Sequence, residues 1–137
     1  MVETDILYAY IKKDDWLKPI ANKIMTKIVR GDLGKIYASR ESLHEIYYVS
    51  RAEGISIDEI IYRLSALITI DNLIFLETTY EIDLLALALM KQYNISSIFD
   101  AYYAATVLNK VSDRTIISTD NIFDNVPGIK RIDPREL

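Results

Sequence analysis

Short apolar runs alternate with longer amphipathic stretches along the chain. Ile20, Ile24 and Ile28 recur at intervals of four, the spacing of one helix face, and Pro19 falls in the first turn, where its missing N–H is not needed. Gly31 and Gly34 end that helix. Ahead of it, a very short strand ending near Glu3 and a helix from Ile6 to Lys12 are expected. Lys35 to Ser39 reads as a strand and Glu41 to Glu53 as a helix stopped by Gly54. Ser56-Ile57-Asp58-Glu59 is a capping box that opens a helix to about Asp71. Leu73 to Leu76 reads as a strand, and Thr78-Thr79-Tyr80-Glu81 caps a helix through Tyr93. Ser97-Ile98-Phe99-Asp100 caps the next, which runs to about Lys110. Thr115 to Ser118 is a strand, Asp120 to Asn125 a short turn or helix, and Lys130 to Ile132 a last extended piece after the Pro127-Gly128 turn.

The strand cores are apolar throughout rather than alternating, and helices separate them. That pattern predicts an α/β fold with a parallel sheet covered on both faces. Crossovers in such sheets are right-handed, and ligands sit beyond the carboxyl ends of the strands. Glu3 or Asp5, and Asp120, lie just past a proposed strand. A length of 137 residues fits one domain, residues 1–137, with its own core.

Composition narrows the chemistry. There is no cysteine, which excludes disulfides, thiolate metal sites and a cysteine nucleophile. The single histidine, His44, reads as a surface or half-buried helix residue and cannot build a zinc site alone. The four glycines form no phosphate-binding loop. No apolar run approaches the ~20 residues of a membrane helix, and Met1-Val2-Glu3-Thr4-Asp5 lacks the pattern of a signal peptide. A cytoplasmic protein without membrane contact is expected. The net charge of −4 argues against a basic stripe for nucleic acid, unless a cation offsets clustered acids.

Acids are what remains, and they come in groups. Glu3 and Asp5 flank Thr4; Glu41 and Glu45 are four apart, as are Asp120 and Asp124; Asp100 stands near a helix start. Like charges at helical spacing cost a few tenths of a kcal/mol, a cost that a bound cation converts into affinity. Ligands that are all oxygen suit Mg²⁺ or Mn²⁺. Each acid also has a plain structural reading. Asp100 is the fourth member of a Ser-x-x-Asp capping box, Glu41 complements a helix dipole, and Asp124 fits a solvated turn. Glu45 precedes Ile46-Tyr47-Tyr48, so its face borders the core. For Asp100 both readings stand at this point.

Several segments resemble PIN-domain proteins, the fold used by VapC-type toxins of toxin–antitoxin pairs. Val2-Glu3-Thr4-Asp5-Ile6-Leu7 is similar to the family's opening motif, usually Asp-Thr-Asn before two apolar residues. Ser42-Leu43-His44-Glu45-Ile46-Tyr47 resembles its acid-bearing helix, and Phe99-Asp100-Ala101-Tyr102-Tyr103-Ala104-Ala105-Thr106 its Asp-Ala segment with small residues. Ser118-Thr119-Asp120-Asn121-Ile122-Phe123-Asp124, followed by Val126-Pro127-Gly128-Ile129, is similar to the closing motif. The four segments stand in the family's order over nearly the whole chain.

The resemblance implies a three-layer α/β/α fold with a central parallel sheet of four or five strands. It implies that Glu3, Asp5, Glu45, Asp100, Asp120 and an optional Asp124 surround one or two Mg²⁺ or Mn²⁺ ions. Glu45, Asp100 and Asp120 are the expected catalytic acids. The first acid is Glu where the family has Asp, so Asp5 competes with Glu3 for that role, and the strand before Glu3 has room for only two or three residues. The implied reaction is hydrolysis of an RNA phosphodiester: the cation acidifies the attacking water and offsets charge on the phosphoryl oxygens. Arg40, Arg51, Lys110 and Arg114 are candidate phosphate contacts, or simply solvated helix ends. An antitoxin partner and a homodimer are expected from the family. Two other readings stay open. One is a degenerate PIN-like module that binds a partner, with Tyr47, Tyr48, Tyr102 and Tyr103 lining a groove or else filling the core. The other is a phosphohydrolase with a nucleophilic Asp.

Overall fold

The computed structural model describes residues 1–137. Met1-Val2-Glu3 is buried and leads directly into α1 (Thr4–Ile11). There follow α2 (Lys18–Arg30), β1 (Ile36–Ser39), α3 (Glu41–Ala52), α4 (Ile57–Ile68), β2 (Leu73–Leu76), α5 (Tyr80–Tyr93), α6 (Ile98–Lys110) and β3 (Thr115–Ile117). A 3-10 turn (Asn121–Asn125), β4 (Lys130–Ile132) and a second 3-10 turn (Pro134–Glu136) complete the chain. No helix is long and apolar enough to cross a membrane.

The expected caps form. Ser56 accepts the N–H of Glu59 at 3.2 Å, Thr79 that of Ile82 at 3.4 Å and Ser97 that of Asp100 at 3.4 Å. Each satisfies a helix N–H that has no partner within the helix. Gly31 ends α2 at φ +81°, the left-handed conformation a side chain disfavours. Two boundaries differ from expectation. Helix α1 begins at Thr4 rather than Ile6, with Asp5 in its first turn accepting the Ile6 N–H. Helix α4 stops at Ile68 rather than near Asp71, where the Thr69 hydroxyl turns back to the carbonyls of Ser65 and Ala66.

The strands form two parallel pairs, β1 with β2 and β3 with β4. Met1-Val2-Glu3 bonds to both pairs. Val2 N–H donates to the Tyr37 carbonyl of β1 at 2.8 Å. On the other side, Ile117 N–H donates to Met1 at 2.8 Å and Glu3 N–H to Ile117 at 3.0 Å. Regular pairing there amounts to a single parallel bridge, Val2 with Ile117, because α1 begins at Thr4. In place of one continuous central sheet stand two two-stranded sheets tied through this segment.

Successive strand residues point to opposite faces, and two cores result. Met1, Ile116 and Leu76 join the cluster built on α5 and α6, with Ile82, Ala86, Ala104 and Val107. Val2, Ile117 and Phe75 join the cluster built on α1 and α2, with Ile6, Leu7, Ile24 and Ile28. Helices therefore cover both faces, and the polar ends of the strands stay open.

Candidate active site

Four segments meet beyond the carboxyl ends of the inner strands. The N-terminal run ends at Glu3, and Ser118-Thr119-Asp120 follows β3. Helix α3 brings Glu45 and the first turn of α6 brings Asp100. Together they line a cleft of about 360 Å³ that holds five acids: Glu3, Asp5, Glu45, Asp100 and Asp120.

Hydrogen bonds fix most of these side chains. Ser118 donates to Glu3 Oε2 at 3.1 Å and accepts the Asp120 N–H at 2.9 Å. Asp5 Oδ2 accepts both the N–H of Thr119, at 2.8 Å, and its hydroxyl, at 2.6 Å. Asp5 Oδ1 accepts the Ile6 N–H at 2.8 Å, so both oxygens of Asp5 are committed within the fold. Asp120 Oδ1 accepts the Ile122 N–H at 3.0 Å and caps the 3-10 turn. Glu45 Oε1 accepts the Tyr103 hydroxyl at 2.8 Å. Asp100 is different. Ser97 caps its N–H, yet its own carboxylate accepts no hydrogen bond and makes no return contact to Ser97. The reciprocal half of the capping box is absent, so capping does not account for this carboxylate.

The cleft is electrostatically frustrated. No lysine, arginine or histidine lines it, and none of the five acids takes part in an ion pair. Burial, then the neighbouring Asp5, pushes Glu3 well above the usual carboxylate range. Burial followed by repulsion from Asp120, Glu45 and Asp5 pushes Asp100 up to about 7. Burial raises Glu45 as well, against the Tyr103 hydrogen bond and the nearby Thr4 hydroxyl, which favour its charge. A hard divalent cation suits this all-oxygen, uncompensated set. As the side chains stand, no three of them converge on one point. A cation would be held by fewer acids at a time, with water in its other positions, as Mg²⁺ commonly is.

The remaining candidates lie elsewhere. Asp124 is exposed and outside the cleft, where its carboxylate accepts from Arg131 Nε at 3.0 Å and Nη2 at 2.9 Å. Arg40 is exposed at the start of α3, and Arg51 near its end bonds to the Ile55 carbonyl. Lys110 is ten residues beyond Asp100 on α6, roughly 15 Å along the helix. Arg114 precedes β3, at the end of that strand opposite the cleft. None of the four cations lines the site. His44 is exposed, its Nδ1 2.7 Å from Glu41. Tyr47 and Tyr48 are exposed on α3 rather than core, whereas Tyr103 is fully buried. Sequence reasoning overlooked Thr4, Ser118, Thr119 and the Tyr103 hydroxyl, the groups that hold the acids in place.

The family profile of the PIN domain matches residues 1–129. The chain belongs to the PIN domain family. Among solved structures, this PIN domain is similar to VapC20 of Mycobacterium tuberculosis, described as a sarcin-ricin loop cleaving toxin. The two share 13% sequence identity and a TM-score of 0.72, over 90% of this chain and 91% of that one. At that identity the likeness speaks for the fold. No curated protein matches the chain.

Proposed function

We propose that this PIN domain is a Mg²⁺- or Mn²⁺-dependent ribonuclease that cleaves RNA phosphodiesters with a water nucleophile, and that it is the toxin of a toxin–antitoxin pair. The observation that carries the reading is the five-acid cleft with no basic residue in it. Family membership supports a nuclease, and the likeness to a loop-cleaving toxin supports RNA as substrate.

Glu3, Asp100 and Asp120 are the proposed ligands, at least one of them through water because no three acids converge on one point, with Glu45 as a further ligand or as the base that orients the water. Glu3 takes the first position in preference to Asp5, because only the Ser118 hydroxyl donates to Glu3 whereas Asp5 accepts from Ile6 N–H and from the N–H and hydroxyl of Thr119. Asp5 instead holds the Thr119 loop and, through it, the station of Asp120. Asp124 is left out of the set, since Arg131 neutralises it. A cation bound by these acids would supply the charge that acidifies a water and offsets negative charge on the phosphate oxygens. Looped or single-stranded RNA is the proposed substrate, the form whose phosphates and unstacked bases are free to reach a groove. We further propose that the two strand pairs act as one five-stranded sheet with Met1-Val2-Glu3 at its centre, and that the protein is a cytoplasmic homodimer.

The test is cleavage of a labelled RNA stem-loop with Mn²⁺ and with EDTA, for the wild type and Asp100→Asn, with circular dichroism as the folding control. Cleavage that survives EDTA or the substitution defeats the reading. A second reading, a partner-binding module without activity, is favoured by a groove of about 660 Å³ lined by Tyr47, Tyr48, Ile98 and Phe99 beside Glu41 and His44. Such a module gains no stability from Mn²⁺, whereas a cation site does.

A further inference from the structure

One buried group next to the cleft has no part in the reaction proposed above. Tyr103 is completely buried among apolar neighbours, yet its hydroxyl touches two polar groups. It lies 2.8 Å from Glu45 Oε1 and 2.7 Å from Thr4 Oγ1. Thr4 Oγ1 in turn lies 2.8 Å from Ser42 Oγ. Ser42 and Thr4 are buried too. The four side chains form a ring of elements: the path leaves α3 at Ser42, crosses α1 and α6, and returns to α3 at Glu45.

Counting protons gives the path a direction. A hydroxyl has one proton to donate. With Glu45 ionised, Tyr103 must donate to it, since a carboxylate only accepts. Tyr103 then accepts from Thr4, and Thr4, its proton spent, accepts from Ser42. Every contact is satisfied in one arrangement, running Ser42 to Thr4 to Tyr103 to Glu45. Successive hydroxyls polarise one another, so the last donor is strengthened. Glu45 Oε2 is left with no protein partner, in a side chain that lines the cleft.

Tyr103 also sits three residues after Asp100 on α6, one turn along the same face. The helix that carries Asp100 therefore sets Glu45 through Tyr103.

We infer that Tyr103 is a positioning residue: at the end of a three-hydroxyl relay it holds one oxygen of Glu45 and thereby presents the other to the cation. The inference rests on the proposed cation site. Groups that orient a ligand from behind typically matter about 10- to 100-fold in metal affinity. Tyr103→Phe keeps the ring and its packing while removing the last donor.

The test is calorimetric Mn²⁺ titration of the full chain as wild type, Tyr103→Phe, Glu45→Gln and the double variant. Tyr103→Phe is expected to keep its circular dichroism spectrum and bind Mn²⁺ roughly 10- to 100-fold more weakly. In the Glu45→Gln background it is expected to cause no further loss, a coupling that a purely packing role would not give. Ser42→Ala, which removes only the far donor, is expected to weaken Mn²⁺ less than Tyr103→Phe, and it carries the same cycle if Tyr103→Phe fails to fold. Wild-type affinity in Tyr103→Phe, or an equal loss in both backgrounds, overturns the relay while the cation site stands. A wild type that takes up no Mn²⁺ overturns the cation site and the relay's purpose together.

Discussion

Ser118 joins Glu3 to Asp120: its hydroxyl donates to Glu3 Oε2 at 3.1 Å and accepts the Asp120 N–H at 2.9 Å. One buried side chain thus ties the first acid of the cleft to the last in chain order. Ser118→Ala leaves a buried carboxyl oxygen and a backbone N–H without their partner. The expected cost is about 1–3 kcal/mol of unfolding free energy, read by urea denaturation, together with weaker Mn²⁺ binding. Unchanged stability would mean that water replaces the hydroxyl at no cost.

Asp100→Asn should act in opposite directions on stability and function. It removes one charge from a crowd that has no counter-charge. Without metal, the variant is expected to melt higher than the wild type, as happens where function holds a site in a strained state. With Mn²⁺ the wild type should overtake it. A variant that melts lower in EDTA would show that the repulsion is already relieved.

The metal-free protein should lose stability as pH rises across the carboxylates of the cleft. The Asp100 carboxyl is raised from 3.8 to about 7 in the folded state. Folding therefore takes up protons over that interval. The cost is absent below about pH 4, grows through the interval and is complete above about 7. Glu3 and Glu45 are displaced in the same direction. Denaturation in EDTA at pH 5 and pH 8 should show the decline, and saturating Mn²⁺ should reduce it. A rise in stability between these pH values in EDTA would contradict the crowded-acid picture.

Glu3 and Asp5 should separate cleanly. Glu3→Gln removes a charge that burial disfavours, so the metal-free fold is expected to hold or gain stability while Mn²⁺ affinity falls. Asp5→Asn disturbs an acceptor of three hydrogen bonds, so the fold is expected to weaken by about 1–3 kcal/mol. If Asp5→Asn costs more Mn²⁺ affinity than stability, and Glu3→Gln costs none, the roles assigned to the two acids are reversed.

What the sequence conveyed, and what it withheld, follows from which forces are local. Helix starts at Ser56, Thr79 and Ser97 were legible because a cap and the N–H it serves lie within one turn. The gathering of Glu45, Asp100 and Asp120 was legible only through the order of motifs, since nothing local says that α3, α6 and the segment after β3 share one cleft. Asp124 stands outside the cleft because spacing by four places residues together only on an α-helix. Here Asp120 caps a 3-10 turn with three residues per turn, so Asp124 points about a third of a turn away, toward Arg131. For Lys110 and Arg114 the sequence left both readings open, because charge alone does not say which end of a helix or strand faces the site. Tyr103 was hidden for another reason. An apolar run shows that a side chain is buried, but not that its one polar atom ends on a carboxylate 58 positions away.

The single bridge between Val2 and Ile117 has a mechanical meaning. It is the seam along which the two strand pairs meet, and the acids stand on both sides of it: Glu45 beyond β1, Asp120 beyond β3, Glu3 on the seam itself. A cation bridging two acids on opposite sides of that seam would work as a rivet, clamping halves that the backbone holds with few bonds. Loading the site would then stiffen the whole molecule, and slower amide exchange at Val2, Glu3 and Ile117 would be its first sign.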